Sequence, residues 1–167
     1  NIRMRRDTLG GCTYDLGVYA LSFVQRMTGM SPERIHAAAF LSAEGIDMYT
    51  TAILEYENGS KAHIDCGMVL ETEKNSALDR FQIHGSKGSI ASVDFGFNAP
   101  GTLRYRLRTF DGKDELREVE VPNNYCLEVE QLGRCICGEE APYVTEDFSV
   151  SLADTVDRIL ERIGYCK

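Results

Sequence analysis

The stretch Gly10-Gly11-Cys12-Thr13-Tyr14-Asp15-Leu16-Gly17-Val18-Tyr19 opens with a glycine pair and runs into a helical pattern carrying an acid and a phenol four residues apart. Residues at that spacing are neighbours on one helix face, so Asp15 and Tyr19 point the same way. Continuing through Ser22 and Arg26 gives a polar stripe beside an apolar one of Leu16, Ala20, Phe23 and Met27. The pair is therefore expected at the lip of whatever the helix packs against.

Such a pair has a definite chemistry. A phenol exchanges a proton with a substrate hydroxyl or carbonyl when its pKa is lowered from about 10 toward the working pH. Unpaired N–H groups at a helix start favour negative charge and help slightly. A carboxylate alone works against phenolate, so the pair calls for a cation, and the neighbouring sequence offers no obvious one. The same residues also have a plain structural reading. An acid in a first helical turn suits the helix dipole, and a tyrosine at a core edge is ordinary.

Working outward, periodicity predicts helices over 13–28, 125–137 and 147–163, with strands near 34–43, 48–57, 60–69, 80–84, 89–94, 103–110 and 115–121. Tyr125, Val129, Leu132 and Ile136 form one apolar stripe, closed by Gly138. Leu152, Val156, Ile159, Leu160 and Ile163 form another, closed by Gly164. Both are expected in the core, and Thr145 is expected to cap the last helix. Asn58-Gly59 predicts a two-residue type I′ turn between two strands, and Asp111-Gly112 a second hairpin. Arg104, Arg106 and Arg108 alternate onto one strand face, where they can meet Glu118 or Glu120 as a solvated charge ladder. Ile35, Ala37, Ala39 and Leu41 alternate with Ala38 and Phe40, so both faces of that sheet need cover. Three helices cover one face, which leaves the other for a homodimer burying on the order of 1,600 Å² or more. The expected class is α/β (α+β): an open-faced, predominantly antiparallel or mixed sheet with helices packed on one face, as a single domain over 1–167.

The chain has 167 residues, 18 Lys and Arg against 26 Asp and Glu, and a net charge of −8, which argues against nucleic acid and anionic membrane as partners. No apolar run is long enough to span a bilayer and no signal-peptide pattern is present, so a cytoplasmic location is expected. The small basic cluster Arg3, Arg5, Arg6 reads either as a solvated end or as a face toward phosphates or an anionic substrate. Cys12, Cys66, Cys126, Cys135, Cys137 and Cys166 are scattered through apolar segments, which fits reduced thiols better than a disulfide framework. Cys135 and Cys137 fall on different faces of a helix and no Cys/His pair has zinc-site spacing, so no metal is expected. Gly85-Ser86-Lys87-Gly88 lacks the full phosphate-loop spacing and reads as a tight turn. His36, His63 and His84 read as structural strand histidines.

The opening run resembles the GGG-x-x-x-D-x-G-x-H/Y segment of the Gfo/Idh/MocA oxidoreductases. The order of later pieces is similar too: Gly45-Ile46-Asp47 before a strand, Leu54-Glu55-Tyr56-Glu57-Asn58-Gly59 at a hairpin, Ile83-His84-Gly85-Ser86-Lys87-Gly88-Ser89-Ile90, and Asn124-Tyr125 opening a helix that ends at Gly138. Members of this family have an N-terminal Rossmann domain binding NAD(P) and a C-terminal α/β domain that supplies part of the substrate site. This chain resembles the second domain alone. It has no Gly-x-Gly-x-x-Gly turn, no acid at the ribose-binding distance and no equivalent of the family's Glu-Lys-Pro lysine, the cation the pair lacks. Its start at Asn1 rather than Met adds to the expectation of a fragment.

For the intact enzyme, the resemblance implies hydride exchange between the nicotinamide of NAD or NADP and a carbon of a sugar, polyol or related carbinol. Tyr19 would pass the hydroxyl proton as general acid/base, and Asp15 would orient the substrate. Gly10 and Gly11 would allow close backbone approach beside the cofactor. Arg3, Arg5, Lys74 and Tyr125 would contact substrate. Tyr19 stands where histidine is more frequent in the family. Ser76-Ala77-Leu78-Asp79 stands where inositol-oxidising members carry a tyrosine, so inositol is not the expected substrate. No tightly bound cofactor and no activity are expected of the fragment alone. The alternative is a non-catalytic dimerisation or ligand-sensing module of the same fold.

Overall fold

A computed structural model describes residues 1–70, 79–96 and 100–165. Short 3₁₀ turns at Ile2–Met4 and Arg6–Thr8 precede a π-helical turn, Thr13–Gly17, that runs directly into α1 (Val18–Thr28). Then come β1 (Arg34–Leu41), β2 (Asp47–Glu55), β3 (Lys61–Gly67), β4 (Gln82–Gly85), β5 (Gly88–Asp94), β6 (Gly101–Thr109), β7 (Asp114–Val121), α2 (Asn124–Ile136) and α3 (Glu146–Arg162). Among the described residues these are seven strands and three helices, at the positions the periodicity predicts. All pairings are antiparallel, and the strands fall in two sheets, β1-β2-β3 and β4-β5-β6-β7. The residues group into two compact units: Asn1–Glu71 with Val144–Lys167, and Thr72–Tyr143.

In the first unit the sheet is half-buried, as its alternation requires. Thr50, Ala52 and Leu54 of β2 are buried, whereas Ile53 between them is exposed. The buried side faces α1 and α3, where Leu21, Ile35, Leu54, Tyr56, Ile64, Val156, Ile159, Leu160 and Tyr165 form one core. Each large aliphatic side chain sealed there contributes about 1.5–3 kcal/mol by leaving water. The opposite side of the sheet carries Phe40 and Ile53, both exposed, beside His63, which shares a hydrogen bond with Thr51 Oγ1 (2.9 Å). The β2–β3 connection is a three-residue loop rather than the expected two-residue turn: the Tyr56 N–H donates to the Ser60 carbonyl (3.0 Å). A type I′ turn needs positive φ at both central residues, and here Gly59 has it while Asn58 does not. The Asn58 side chain instead accepts from the Ser60 N–H (3.0 Å), an Asx turn that sets the longer loop.

The buried stripe of the first helix also differs from the expected one. Thr13, Gly17 and Leu21 face inward, while Leu16 and Met27 are exposed. Small side chains let the helix come close to β3: a Cβ at Gly17 would lie 3.0 Å from Cys66 Sγ. Close approach through Thr13 and Gly17 decides which face is buried, over the larger side chains one position round.

The second unit holds the four-stranded sheet and α2. Arg104 pairs with Glu118 (3.2 Å) and Asp94 (3.0 Å), and Arg106 and Arg108 both pair with Asp114 (3.0 and 3.3 Å), the exposed ladder that the alternation predicts. Asn123 caps α2 through the Cys126 N–H (3.2 Å). The stripe of α2 is not core: Tyr125, Val129, Leu132 and Ile136 are 60, 72, 61 and 78% exposed. An amphipathic pattern says that a face favours cover, not that its own unit supplies it. α3, in the first unit, does bury its stripe, with Thr145 as its cap (Phe148 N–H, 3.2 Å). Among the described residues, no helix is long and apolar enough to cross a membrane.

Candidate active site

The glycine pair is fixed on several sides. Gly10 N–H donates to the Arg5 carbonyl and Gly11 N–H to the Arg3 carbonyl, each at 2.9 Å. The Gly10 carbonyl accepts from Tyr165 Oη at 2.8 Å. A side chain at Gly10 would collide with the Arg3 and Arg5 carbonyls, and one at Gly11, whose φ is +122°, with Asp47 Oδ1. Both positions need glycine for the chain's own packing.

From this pivot the π-turn starts: Asp15 N–H donates to the Gly11 carbonyl (3.2 Å), and Val18 N–H closes the wide turn on the Thr13 carbonyl. Wide turns of this kind are uncommon and gather at functional sites. Its inner side is anchored. Thr13 Oγ1 bonds Thr50 Oγ1 (3.1 Å), and Tyr14 Oη donates to Asp157 Oδ1 of α3 (3.3 Å). Its outer side carries Asp15, with a side chain 29% exposed, and one turn further Tyr19, 43% exposed. Asp15 accepts from Arg3 Nε at 2.7 Å. That bond, then the charge of Asp15, holds the Arg3 guanidinium above its ordinary pKa, and Tyr19 lies within electrostatic reach of the same group. A cation, Arg3, is thus brought to the acid of the pair by the backward fold of the first residues.

The other candidates are placed differently. Arg5 is paired with Asp7, Nε to Oδ1 at 3.0 Å. Tyr125 opens α2 in the second unit and is exposed. Lys74 and residues 76–78 lie outside the described residues. Cys12, Cys66, Cys126, Cys135 and Cys137 are free thiols, and among the described residues no group of three His, Cys, Asp or Glu side chains is set to hold a metal.

One residue was absent from the candidates. Asp47, the first residue of β2, is fully buried, and its Oδ2 accepts from Thr13 N (2.8 Å), Thr50 Oγ1 (3.1 Å) and Cys12 Sγ (3.2 Å). Its Oδ1 is buried and has no hydrogen-bond partner among the described residues. Cys12, sealed between Asp47 and Cys66, is pushed well above the ordinary thiol pKa, by the bond with Cys66 first and by burial next. It is therefore a poor nucleophile. In the sequence Asp47 appears as an acid directly before an apolar strand, in the Gly45-Ile46-Asp47 run that the family resemblance includes, and nothing there assigns it a role at the site.

A half-buried carboxyl held by a guanidinium, with an exposed phenol one turn on, sits at the start of a helix packed on a half-covered antiparallel sheet: a candidate acid/base site on an α/β fold. Residues 1–91 match the model of the GFO/IDH/MocA C-terminal domain, and the chain belongs to that family. It is 27% identical over 163 residues to the D-xylose 1-dehydrogenase (NADP(+)) 2 of Haloferax volcanii, covering 96% of this chain and 48% of that protein. It is 26% identical over 167 residues to the trans-1,2-dihydrobenzene-1,2-diol dehydrogenase of Xenopus laevis, covering 96% of this chain and 49% of that one. The fold is shared with a 3-ketoreductase of Actinomadura kijaniata in complex with NADP and TDP-benzene, at a TM-score of 0.83 and 19% identity, over 98% of this chain and 49% of that chain. The chain spans about half the length of the curated relatives it matches.

Proposed function

We propose that this chain is the substrate-side half of an NAD(P)-dependent oxidoreductase acting on a sugar, polyol or related carbinol. The observation that carries the reading is the Arg3–Asp15 ion pair within electrostatic reach of Tyr19, at the surface of the helix start. The side chains gathered there can bind and move a proton but cannot themselves donate a hydride, so a nicotinamide is the proposed hydride carrier. When bound, NAD(P) would supply the hydride chemistry. Tyr19 Oη gives its proton to the substrate oxygen during reduction, and the proton returns along the same path during oxidation. Asp15 accepts a hydrogen bond from a neighbouring substrate hydroxyl, and Arg3 holds that carboxylate in place and offsets its charge. Relatives named as sugar and dihydrodiol dehydrogenases support this substrate class. By this reading the chain alone does not turn over. The test is oxidation of a sugar and polyol panel with NAD and with NADP by a polypeptide in which a nucleotide-binding domain precedes residue 1. Hydride transfer to at least one vicinal diol or pyranose is expected, and none across the panel contradicts the reading.

The same proposal includes a cytoplasmic homodimer through an exposed sheet face. Support comes from Phe40, 63% exposed, and Ile53, 44% exposed, on one side of β1-β2-β3. Sedimentation at micromolar concentration should give a dimer that Phe40→Glu dissociates. A wild-type monomer contradicts it.

A further inference from the structure

We infer that Asp47 is the positioning residue of this site: from inside the protein it caps the turn that presents Asp15 and Tyr19. The inference rests on the reading of that pair as the proton-transfer set. The π-turn and α1 lack a cap of their own, since neither Cys12 nor Gly17 makes a side-chain capping bond. The first N–H groups of a helix need an acceptor. For Thr13, two residues before Asp15, that acceptor is Asp47 Oδ2 at 2.8 Å, from a strand 34 residues further along the chain. The same oxygen takes the thiol of Cys12 and the hydroxyl of Thr50, so one atom fixes the helix start to β2. Gly11 completes the fit, because any side chain there would occupy the place of Asp47 Oδ1. That oxygen remains buried, with no hydrogen-bond partner among the described residues. What Asp47 fixes is the direction in which the outer side of the turn faces.

The experiment compares wild type, Asp47→Ala, Asp47→Asn and Tyr19→Phe in the polypeptide described above, with rates normalised to folded protein. It also follows the exchange of the Thr13 amide in the 167-residue chain. Displacing a reacting group by roughly an ångström costs about a hundredfold in rate, so Asp47→Ala should lower kcat by about that much with KM held within about threefold. Asn keeps an oxygen for the Thr13 N–H and should restore kcat to within about tenfold of wild type and keep the amide slow to exchange. A purely structural role would lower the folded fraction and leave kcat per folded molecule unchanged, which overturns the inference. Should Asp47→Ala fail to fold, Asp47→Glu decides. Its extra methylene pushes the carboxyl into Gly11 and is expected to lower kcat at least about tenfold; wild-type kcat in that variant overturns the inference. Full turnover in Tyr19→Phe removes the reading of the pair and this inference with it. Turnover lost in Tyr19→Phe but kept in Asp47→Ala overturns this inference alone.

Discussion

Arg3 Nε stands 2.7 Å from Asp15 Oδ1, so the first turn of the chain is tied to the first turn of the helix that bears Tyr19. The Arg3 side chain is 55% exposed, and an ion pair so open to solvent adds little to folding. In the proposed function its role is chemical: it orients the carboxylate beside the phenol. Arg3→Gln should therefore leave the thermal midpoint unchanged while lowering kcat/KM at least about tenfold in the nucleotide-domain polypeptide. Calorimetry and steady-state kinetics on the same preparation check both halves. Arg3→Lys, which keeps charge but loses the planar fork, should fall between the two.

The two amphipathic helices predict opposite sensitivities. Ile159 of α3 is fully buried in the core, so Ile159→Ala should destabilise by about 2–5 kcal/mol. Ile136 of α2 is 78% exposed, so Ile136→Ala should stay within about 0.5 kcal/mol of wild type. Denaturant unfolding of the two variants reads the difference directly.

That contrast also marks how far the sequence could be read. Element positions were legible because the period changes sharply at Asn58-Gly59, Asp111-Gly112, Gly138 and Gly164, where loops and caps interrupt it. Which stripe is buried was not legible, because Tyr125, Val129, Leu132 and Ile136 look as apolar as the stripe of α3. The first helix misled for another reason: close approach at Gly17 and Thr13 outweighs the larger Leu16 and Met27. At the site, Asp15 and Tyr19 could be found by spacing. Arg3 could be named but not placed, since its meeting with Asp15 depends on the 3₁₀ turns that fold the start of the chain back. Asp47 stood in the quoted Gly45-Ile46-Asp47 run, but its role was not legible because its partners, Cys12, Thr13 and Thr50, are brought together only by the tertiary fold.

Acid sensitivity should be concentrated at Glu55. The ammonium of Lys61 (2.8 Å) and the guanidinium of Arg34 (2.7 Å) hold its carboxyl down to about 2, from an ordinary value of 4.5. A carboxyl depressed on folding stabilises above its unfolded pKa, and that contribution is lost as pH falls through the folded value. Glu55→Gln should thus flatten the fall of thermal midpoint between pH 4.5 and about 2. At pH 7 added salt should narrow the gap between variant and wild type, because these partners are exposed.

In the proposed reaction Tyr19 moves the proton while a nicotinamide moves the hydride. It is tested most directly by kcat of Tyr19→Phe in the polypeptide with a nucleotide-binding domain ahead of residue 1, on the best substrate of the panel. Loss of the phenolic hydroxyl should lower kcat by about 10²–10⁴-fold and leave the oligomeric state unchanged. A Tyr19→Phe enzyme turning over at the wild-type rate contradicts the account.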